Sequence, residues 1–405
     1  MCKTLNNLET IGNKDENHYF ALSFSNKEKI NKYNMFKLLK KSFLAILFLI
    51  PLLFAATESQ ATHMMGGDIS YKCLDTLKFE VIIKYYRDCR GIPLNGGQLT
   101  VSCDGTNARS VTITRQLIRE VTPLCATEPS RCSPQNARAG KGVEEHVYTV
   151  VLDFNTGGNM ASLKNCAGKI RLTTGIPARN GAINTGPIGT FFTFAEIDIA
   201  KAPCNTSPSL TSEPIAVLCC NQPFFFNNGA SDVTDFDSLS YEWSPPLRGW
   251  NQQLNYSGTN YSYQHPFQAY YPGRLAPPYN NINASPPIGV YLDPETGDII
   301  FTPTRCDEVT VAVIKVKEWR KDTNGVMQNI GVTHRDLQFI TENCPDNNPP
   351  EVKGPYSYEV CEGSQICFNV ETDDKPFIPP PPATPPLPDT VTNSWNRGIP
   401  GATYT

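Results

Sequence analysis

Lys-Phe-Glu-Val-Ile-Ile-Lys-Tyr-Tyr-Arg, residues 78–87, carries the alternation that decides the fold. Polar Glu80 and Lys84 lie between apolar side chains at every second position. The apolar side chains are Phe79, Val81, Ile83 and Tyr85. Because successive side chains of a strand point to opposite faces, this period of two predicts an antiparallel strand with one buried face.

Similar short stretches surround it, separated by turns such as Asn95-Gly-Gly97 and Asn155-Thr-Gly-Gly158. They are residues 68–72, 98–103, 109–121, 148–154, 169–174 and 191–199. About seven short strands with turns between them favour a β-sandwich over residues 62–204.

A second sandwich is predicted over residues 215–345, after a linker rich in Ser, Thr and Pro at residues 205–214. Its strands are residues 215–218, 224–227, 240–243, 289–292, 298–302, 310–319 and 331–341. Asp293-Pro-Glu-Thr-Gly297 predicts a tight hairpin turn in which the glycine has positive φ. The alternation slips between Val313 and Ile314, which indicates either a bulge or a strand buried on both faces.

Residues 346–405 begin a second copy of this module. Two spacings recur: Cys219 to Phe226 matches Cys361 to Phe368, and Asp237 to Trp243 matches Asp389 to Trp395. Fewer residues follow Trp395 than separate Trp243 from Cys344. We therefore expect the third module to be incomplete in a chain that continues further, as in an extended array of repeats.

The segment 35–61 has the layout of a secretory signal peptide. Three lysines precede the apolar run 42–56, and small residues Ser59 and Ala61 precede a cleavage point before Thr62. A membrane anchor would need about 20 apolar residues, so no transmembrane span is expected in the mature chain. Residues 1–34 precede the signal and are interpreted as a mis-called start or a disordered extension.

Composition fits an exported protein. The chain carries a formal net charge of −4, which argues against a nucleic-acid partner. Its 14 cysteines lack metal-site spacings and read as disulfides in an exported chain. Cys125 and Cys132, seven residues apart in one loop, are predicted to pair. The further candidates are Cys73, Cys89, Cys103, Cys166, Cys306 and Cys344.

Two stretches, Thr62–Cys73 (THMMGGDISYKC) and Tyr85–Cys89 (YYRDC), together resemble the N-terminus of very large modular surface proteins of gliding Gram-negative bacteria. Further matches are Cys125 to Cys132, Asn205-Thr-Ser-Pro208, Cys220-Asn-Gln-Pro-Phe224, Asp235-Phe-Asp-Ser-Leu-Ser-Tyr241, Gly297-Asp-Ile-Ile-Phe-Thr-Pro303 and His334-Arg-Asp-Leu-Gln338. The resemblance implies strings of immunoglobulin-, PKD- and cadherin-like repeats, sorted by type IX secretion, and a location at the cell surface or outside the cell.

Two candidate sites remain. Asp232, Asp235 and Asp237 are spaced as ligands for calcium, the one cofactor considered, or as turn-forming residues before a strand. The family's Asp-x-Asp-Gly-Asp run lacks its glycine here. The long segment 251–287 carries a candidate binding loop that could instead pack on its own sandwich. Its tyrosines are Tyr256, Tyr261, Tyr263, Tyr270 and Tyr271.

The sequence contains no H-E-x-x-H, G-x-S-x-G or Walker motif. His334 falls in a predicted strand and is expected at the surface. We therefore expect a non-catalytic, structural or adhesive surface protein, linked to gliding motility or attachment, with a surface glycan or protein ligand and the secretion machinery as partners. The alternative is the accessory region of a secreted enzyme whose catalytic domain lies beyond residue 405.

Overall fold

A computed structural model places most of residues 64–374. It describes that range apart from 124–128, 134, 136–139, 178, 183, 186–188, 259, 345–347, 349, 354–360 and 362, together with residue 391. The predicted signal peptide, the cleavage point between Ala61 and Thr62 and the segment 1–34 lie outside the described residues. So does most of the predicted third module. All described residues belong to one compact unit, Gln60–Thr405.

The described chain is almost entirely β-structure, with one 3₁₀ turn at Ala161–Leu163 and no α-helix in the part described. Within the same residues, no helix combines the length and apolar character needed to cross a membrane. The strands are β1 (Met64–Asp75), β2 (Lys78–Asp88), β3 (Gly97–Cys103), β4 (Thr106–Glu120), β5 (Val143–Asp153), β6 (Ile170–Ile176), β7 (Phe191–Ile197), β8 (Ser209–Leu210), β9 (Ile215–Cys219), β10 (Phe224–Phe226), β11 (Ala230–Ser231), β12 (Ser238–Ser244), β13 (Leu247–Gly249), β14 (Gln252–Gln253), β15 (Val290–Leu292), β16 (Ile299–Phe301), β17 (Val309–Lys321), β18 (Met327–Glu342), β19 (Glu351–Lys353) and β20 (Glu371–Asp373).

The first seven strands enclose one hydrophobic core. They pair in the order β1-β2-β5-β4-β3-β6-β7. Their inward side chains come from alternate positions, as the alternation in β2 predicts: Ile69, Tyr71, Phe79, Val81, Ile83, Tyr85, Leu99, Val101, Tyr148, Leu152, Leu172 and Phe191 are among those in this core. The all-β prediction and the half-buried β2 are therefore confirmed.

A second core lies in the segment that begins with β9. It packs β12, β17 and β18 against a small sheet ordered β10-β16-β15. The predicted hairpin turn joins β15 to β16, with the Asp293 N–H donating to the Asp298 carbonyl at 2.9 Å and Gly297 at φ +77°. A side chain at Gly297 would collide with the Tyr241 ring, so only glycine fits this turn.

Strand β18 belongs to both segments. It pairs with β17 along its length. It also pairs in turn with β7, β1 and β9, the last near the end of β18. Because β18 pairs with both β1 and β7, it closes the ring of the first seven strands. Leu337 and Phe339 pack in the second core, whereas Val332, on the other face, packs against Phe194 and Leu247. One strand therefore joins the two cores that the sequence predicted as separate sandwiches.

Strand β17 is also buried on both faces, the second of the two predicted readings. Ala312 and Ile314 face the second core, while Val311 and Val313 pack beside Ala182. Its register shift opposite β18 lies further along, between Glu318 and Trp319.

The segment 205–214, predicted as a linker, packs against β1 instead of running free. Asn205 and Ser207 are buried. The Tyr71 N–H donates to Ser207 Oγ at 2.9 Å, and the Ser207 N–H donates to the Tyr71 carbonyl at 2.9 Å. Short strand β8 then pairs with β11. Serine and threonine are frequent in this segment because their hydroxyls form hydrogen bonds with the backbone. An exposed linker has the same composition, so composition alone does not show that the segment is packed.

Candidate functional site

Five disulfides hold the described chain, and none joins the first seven-strand segment to the second. Cys132 bonds to Cys89, so the predicted Cys125–Cys132 bond is wrong; Cys125 lies outside the described residues. Backbone pairing explains the difference, because the Cys89 and Arg131 N–H groups donate to the Gly142 and Lys141 carbonyls and bring the two cysteines together. The bonds are Cys73–Cys204, Cys89–Cys132, Cys103–Cys166, Cys219–Cys344 and Cys220–Cys306.

Cys204, Cys219 and Cys220 were not among the predicted candidates. Strand β9 runs parallel to the end of β18 and pairs Cys219 with Glu342, two residues before Cys344. That pairing between distant segments places Cys219 beside its partner. Among the described cysteines, Cys361 and Cys367 are exposed free thiols.

The acidic loop before β12 brings its three aspartates together, with one oxygen from each within 4.8 Å of the others. The Asp235 N–H donates to Asp232 Oδ1 at 3.0 Å, and Asp235 Oδ2 accepts from the Thr206 N–H at 2.6 Å. Such bonds from carboxylates to nearby backbone are the turn-forming use of aspartate.

Arg320 of β17 supplies the positive charge of this loop. Its guanidinium donates to both carboxylate oxygens of Asp237 at 2.7 Å and lies 3.6 Å from Asp235. The bond to Asp237 raises the pKa of Arg320, and burial raises the pKa of Asp232. Calcium prefers six to eight oxygen ligands. Asp235 and Asp237 already pair with this guanidinium, so the three aspartates fit that demand poorly, and the loop is better described as an Arg–Asp network.

Glu318 lies beneath this loop and is fully buried. Its carboxyl accepts from the Tyr71 hydroxyl at 3.0 Å and from Asn205 Nδ2 at 2.8 Å. Burial, which outweighs these two bonds, raises the pKa of Glu318 to about 8. Gly331 opposite leaves no room for a side chain, since an added Cβ would collide with Glu318 and Tyr71. Sequence reasoning missed this group because a glutamate in a strand normally faces solvent.

Most of the predicted tyrosine loop is packed. The Tyr261 hydroxyl donates to buried Glu308 at 2.6 Å, and burial together with this bond raises the pKa of Tyr261 to about 12. Tyr271 packs against the second core. The Tyr270 backbone donates to the Thr302 carbonyl and accepts from the Gly289 N–H. Burial raises the pKa of Tyr256. Tyr263 differs from these four, since it is 37% exposed.

Tyr263 lines a groove of about 510 Å³ at the edge of the sheet beside β12. Its aromatic and apolar lining includes Trp243 and Leu292, and its polar lining includes Glu242, Gln253, Gln264 and Lys315. The volume lies within the usual range for small-ligand sites, about 300–1,000 Å³. This groove is the candidate binding site of the described chain.

A second cleft, of about 280 Å³, lies between β5, β9 and the end of β18. Its charged side chains pair with one another: Arg131 lies 3.5 Å from Asp88, and Lys141 bonds to Glu342. The charged groups of this cleft therefore already have partners of opposite charge.

Two of the described histidines occupy structural positions. His334, expected at the surface, is fully buried and stacks on Phe194 with ring centroids 4.8 Å apart. Burial lowers its pKa to about 3, so it is neutral. His146 lies 3.1 Å from Glu144, and burial lowers its pKa as well. The alternation of β18 did not predict the buried His334 because both faces of that strand are covered.

The chain matches no family model, no curated protein and no solved structure.

Proposed function

We propose that this chain is part of an exported, non-catalytic surface protein with a structural or adhesive role. The observation that carries the proposal is the set of five disulfides, three in the first seven-strand segment and its flanks and two in the second. Disulfides form and persist in oxidising surroundings outside the cytoplasm. Each core is tied by bonds that a reducing cytoplasm would not maintain.

The repeated spacings in the sequence support a modular protein of the immunoglobulin-, PKD- or cadherin-like kind, exported by type IX secretion and used in gliding or attachment. The all-β character of the described chain agrees with such a design. Disulfide cross-links stabilise a β-module by constraining its unfolded chain, which suits a protein that holds a binding surface away from the cell.

The test is protease accessibility on intact cells that express the full chain. An antibody against residues 64–344 should lose its signal after protease treatment of whole cells, while a cytoplasmic marker stays intact. Alkylation of free thiols before lysis should leave the ten bonded cysteines unlabelled. Retention of the protein in the cytoplasm with reactive Cys73 and Cys204 would refute the proposal.

A further inference from the structure

We propose that the groove beside β12 binds a neutral polysaccharide, with a pyranose ring against Trp243 and Tyr263 and its hydroxyl groups bonded to Gln253 and Gln264. This inference rests on the proposed surface function and assigns that protein its class of ligand.

Tyr263 and Gln264 form the tip of a closed turn. Ser262 and His265 flank them, and each donates its N–H to the other's carbonyl at 3.1 Å. The preceding residue, Tyr261, is anchored through its hydroxyl to Glu308. Because these bonds hold the backbone of the turn, the segment that carries the two side chains is in place before any ligand arrives, which lowers the entropic cost of binding.

Trp243 forms the other aromatic wall. It lies on the same face of β12 as Tyr241, against the second core, and is only partly buried there. Among the described strands β12 pairs with β17 alone, so its outer edge faces the groove. The turn that follows Leu292 is bonded to that edge, since the Tyr241 N–H donates to the Pro294 carbonyl at 2.9 Å.

The lining suits both the C–H face of a sugar ring and its hydroxyl groups. The face of an aromatic ring is electron-rich and attracts the weakly positive C–H groups on one side of a pyranose ring. Each glutamine amide offers two donors and an acceptor oxygen, which suits hydroxyl groups that both donate and accept. Gln253 and Gln264 are both exposed in the groove.

The charge balance favours a neutral ligand. Glu242 and Lys315 are the charged groups of the described lining and lie 3.7 Å apart, while Lys317 outside the groove approaches Glu242 at 2.7 Å. Neither charge in the lining is left alone to attract an acidic sugar or a charged peptide terminus.

An extended peptide is the competing occupant, because it could add to the edge of β12 as a further strand. The Asp293–Gly297 turn occupies part of that edge through the Tyr241 bond. Asp293 also fixes the turn by accepting from the N–H groups of Glu295 and Thr296 at 2.8 and 2.9 Å. The edge is therefore blocked where a peptide would need it, while the groove beside it stays open.

Affinity electrophoresis of the full chain tests the proposal, with β-glucan, mannan, xylan or alginate cast in the gel. We expect retardation by at least one of the three neutral polysaccharides and not by alginate, which is acidic. Tyr263→Ala should weaken it about tenfold, the loss of one aromatic contact and its buried area. Tyr279→Ala is the matched control, because Tyr279 is 44% exposed in the same segment and does not line the groove.

Tryptophan fluorescence gives a second readout. The retarding polysaccharide should change the emission of the unmodified chain, and Trp243→Phe should abolish that change while retaining an aromatic wall. Retardation by none of the neutral polysaccharides, retardation by alginate alone, or equal retardation of the Tyr263→Ala and Tyr279→Ala chains would overturn the proposal. If the protein is protease-accessible on cells yet fails these tests, the surface function stands and the polysaccharide groove is refuted.

Discussion

The Asp336 carboxylate on β18 accepts a hydrogen bond from each terminal nitrogen of Arg179, Nη1 to Oδ1 at 2.8 Å and Nη2 to Oδ2 at 2.5 Å. Both side chains are buried. Arg179 follows β6 in the first segment, and Asp336 belongs to the strand that closes that segment's ring. A second buried pair on the same strand, Arg335 with Asp68, lies 3.8 Å apart. Two charged pairs therefore hold β18 against the first segment at the position where the cores meet.

Arg179→Met should destabilise the protein by about 3–5 kcal/mol, because it leaves Asp336 buried without a counter-charge. Burial already raises the pKa of Asp336, and Arg179 opposes that shift. Denaturant unfolding followed by circular dichroism measures the loss. Arg305→Met is the control, since the Arg305–Asp307 pair lies at the surface and should matter little. Equal effects of the two substitutions would contradict this assignment.

Glu318 should make the protein less stable as pH rises. The unfolded carboxyl loses its proton near its ordinary pKa of 4.5, and the folded one near 8. Between these values the folded state binds more protons, so its stability is greatest below pH 4.5 and falls until about pH 8. Glu318→Gln should flatten this part of the unfolding free energy against pH, whereas Glu295→Gln at an exposed turn should not. An unchanged slope in Glu318→Gln would rule out the raised pKa.

Non-reducing peptide mapping should recover Cys89 linked to Cys132. Replacing both cysteines by serine should lower the free energy of unfolding by up to about 4 kcal/mol, the chain-entropy value for a loop of this length. The separation of the two residues is 43. Cys361→Ser removes an exposed free thiol and should leave stability unchanged. A peptide that links Cys125 to Cys132 would disprove the pairing.

Arg320→Ala should destabilise the acidic loop by about 1–2 kcal/mol, since a partly exposed arginine loses two bonds to Asp237 and one to Asn205. It should also create sensitivity to calcium, because Asp235 and Asp237 then lack their guanidinium partner while Asp232 lies beside them. Thermal unfolding with and without millimolar calcium measures both effects. The unmodified chain and the neighbouring Lys321→Ala variant should show no calcium response. A calcium shift in the unmodified chain would mean that Arg320 does not fill the metal's place.

Local pattern was sufficient for much of the fold. The alternation in residues 78–87 predicts β2, and the Asp293–Gly297 turn follows from its own residues. These features depend on contacts between neighbours in sequence and on the conformational freedom of glycine, both of which can be read from a short stretch.

Distant contacts account for what the sequence did not predict. His334 and Glu318 are polar residues in strands, and they are buried because β18 and β17 are covered from both sides. The Cys89–Cys132 bond depends on pairing between the end of β2 and a later loop. Tyr263 was one of five equivalent candidates, and the hydrogen bonds of its neighbours separate it from the others. Each of these requires knowing which segments meet.

Because β18 closes the ring of the first seven strands, the nascent chain cannot complete its N-terminal part in the order in which it is made. The edges of β1 and β7 stay unpaired until residues 327–342 have been synthesised, after all of β8 to β17. Unpaired strand edges recruit other strands, and pairing across such a span is slow. Residues 62–204 are therefore not an independently folding domain. Expressed alone, they would leave the edges of β1 and β7 unpaired and prone to aggregation, and adding the β17–β18 hairpin should cover both edges.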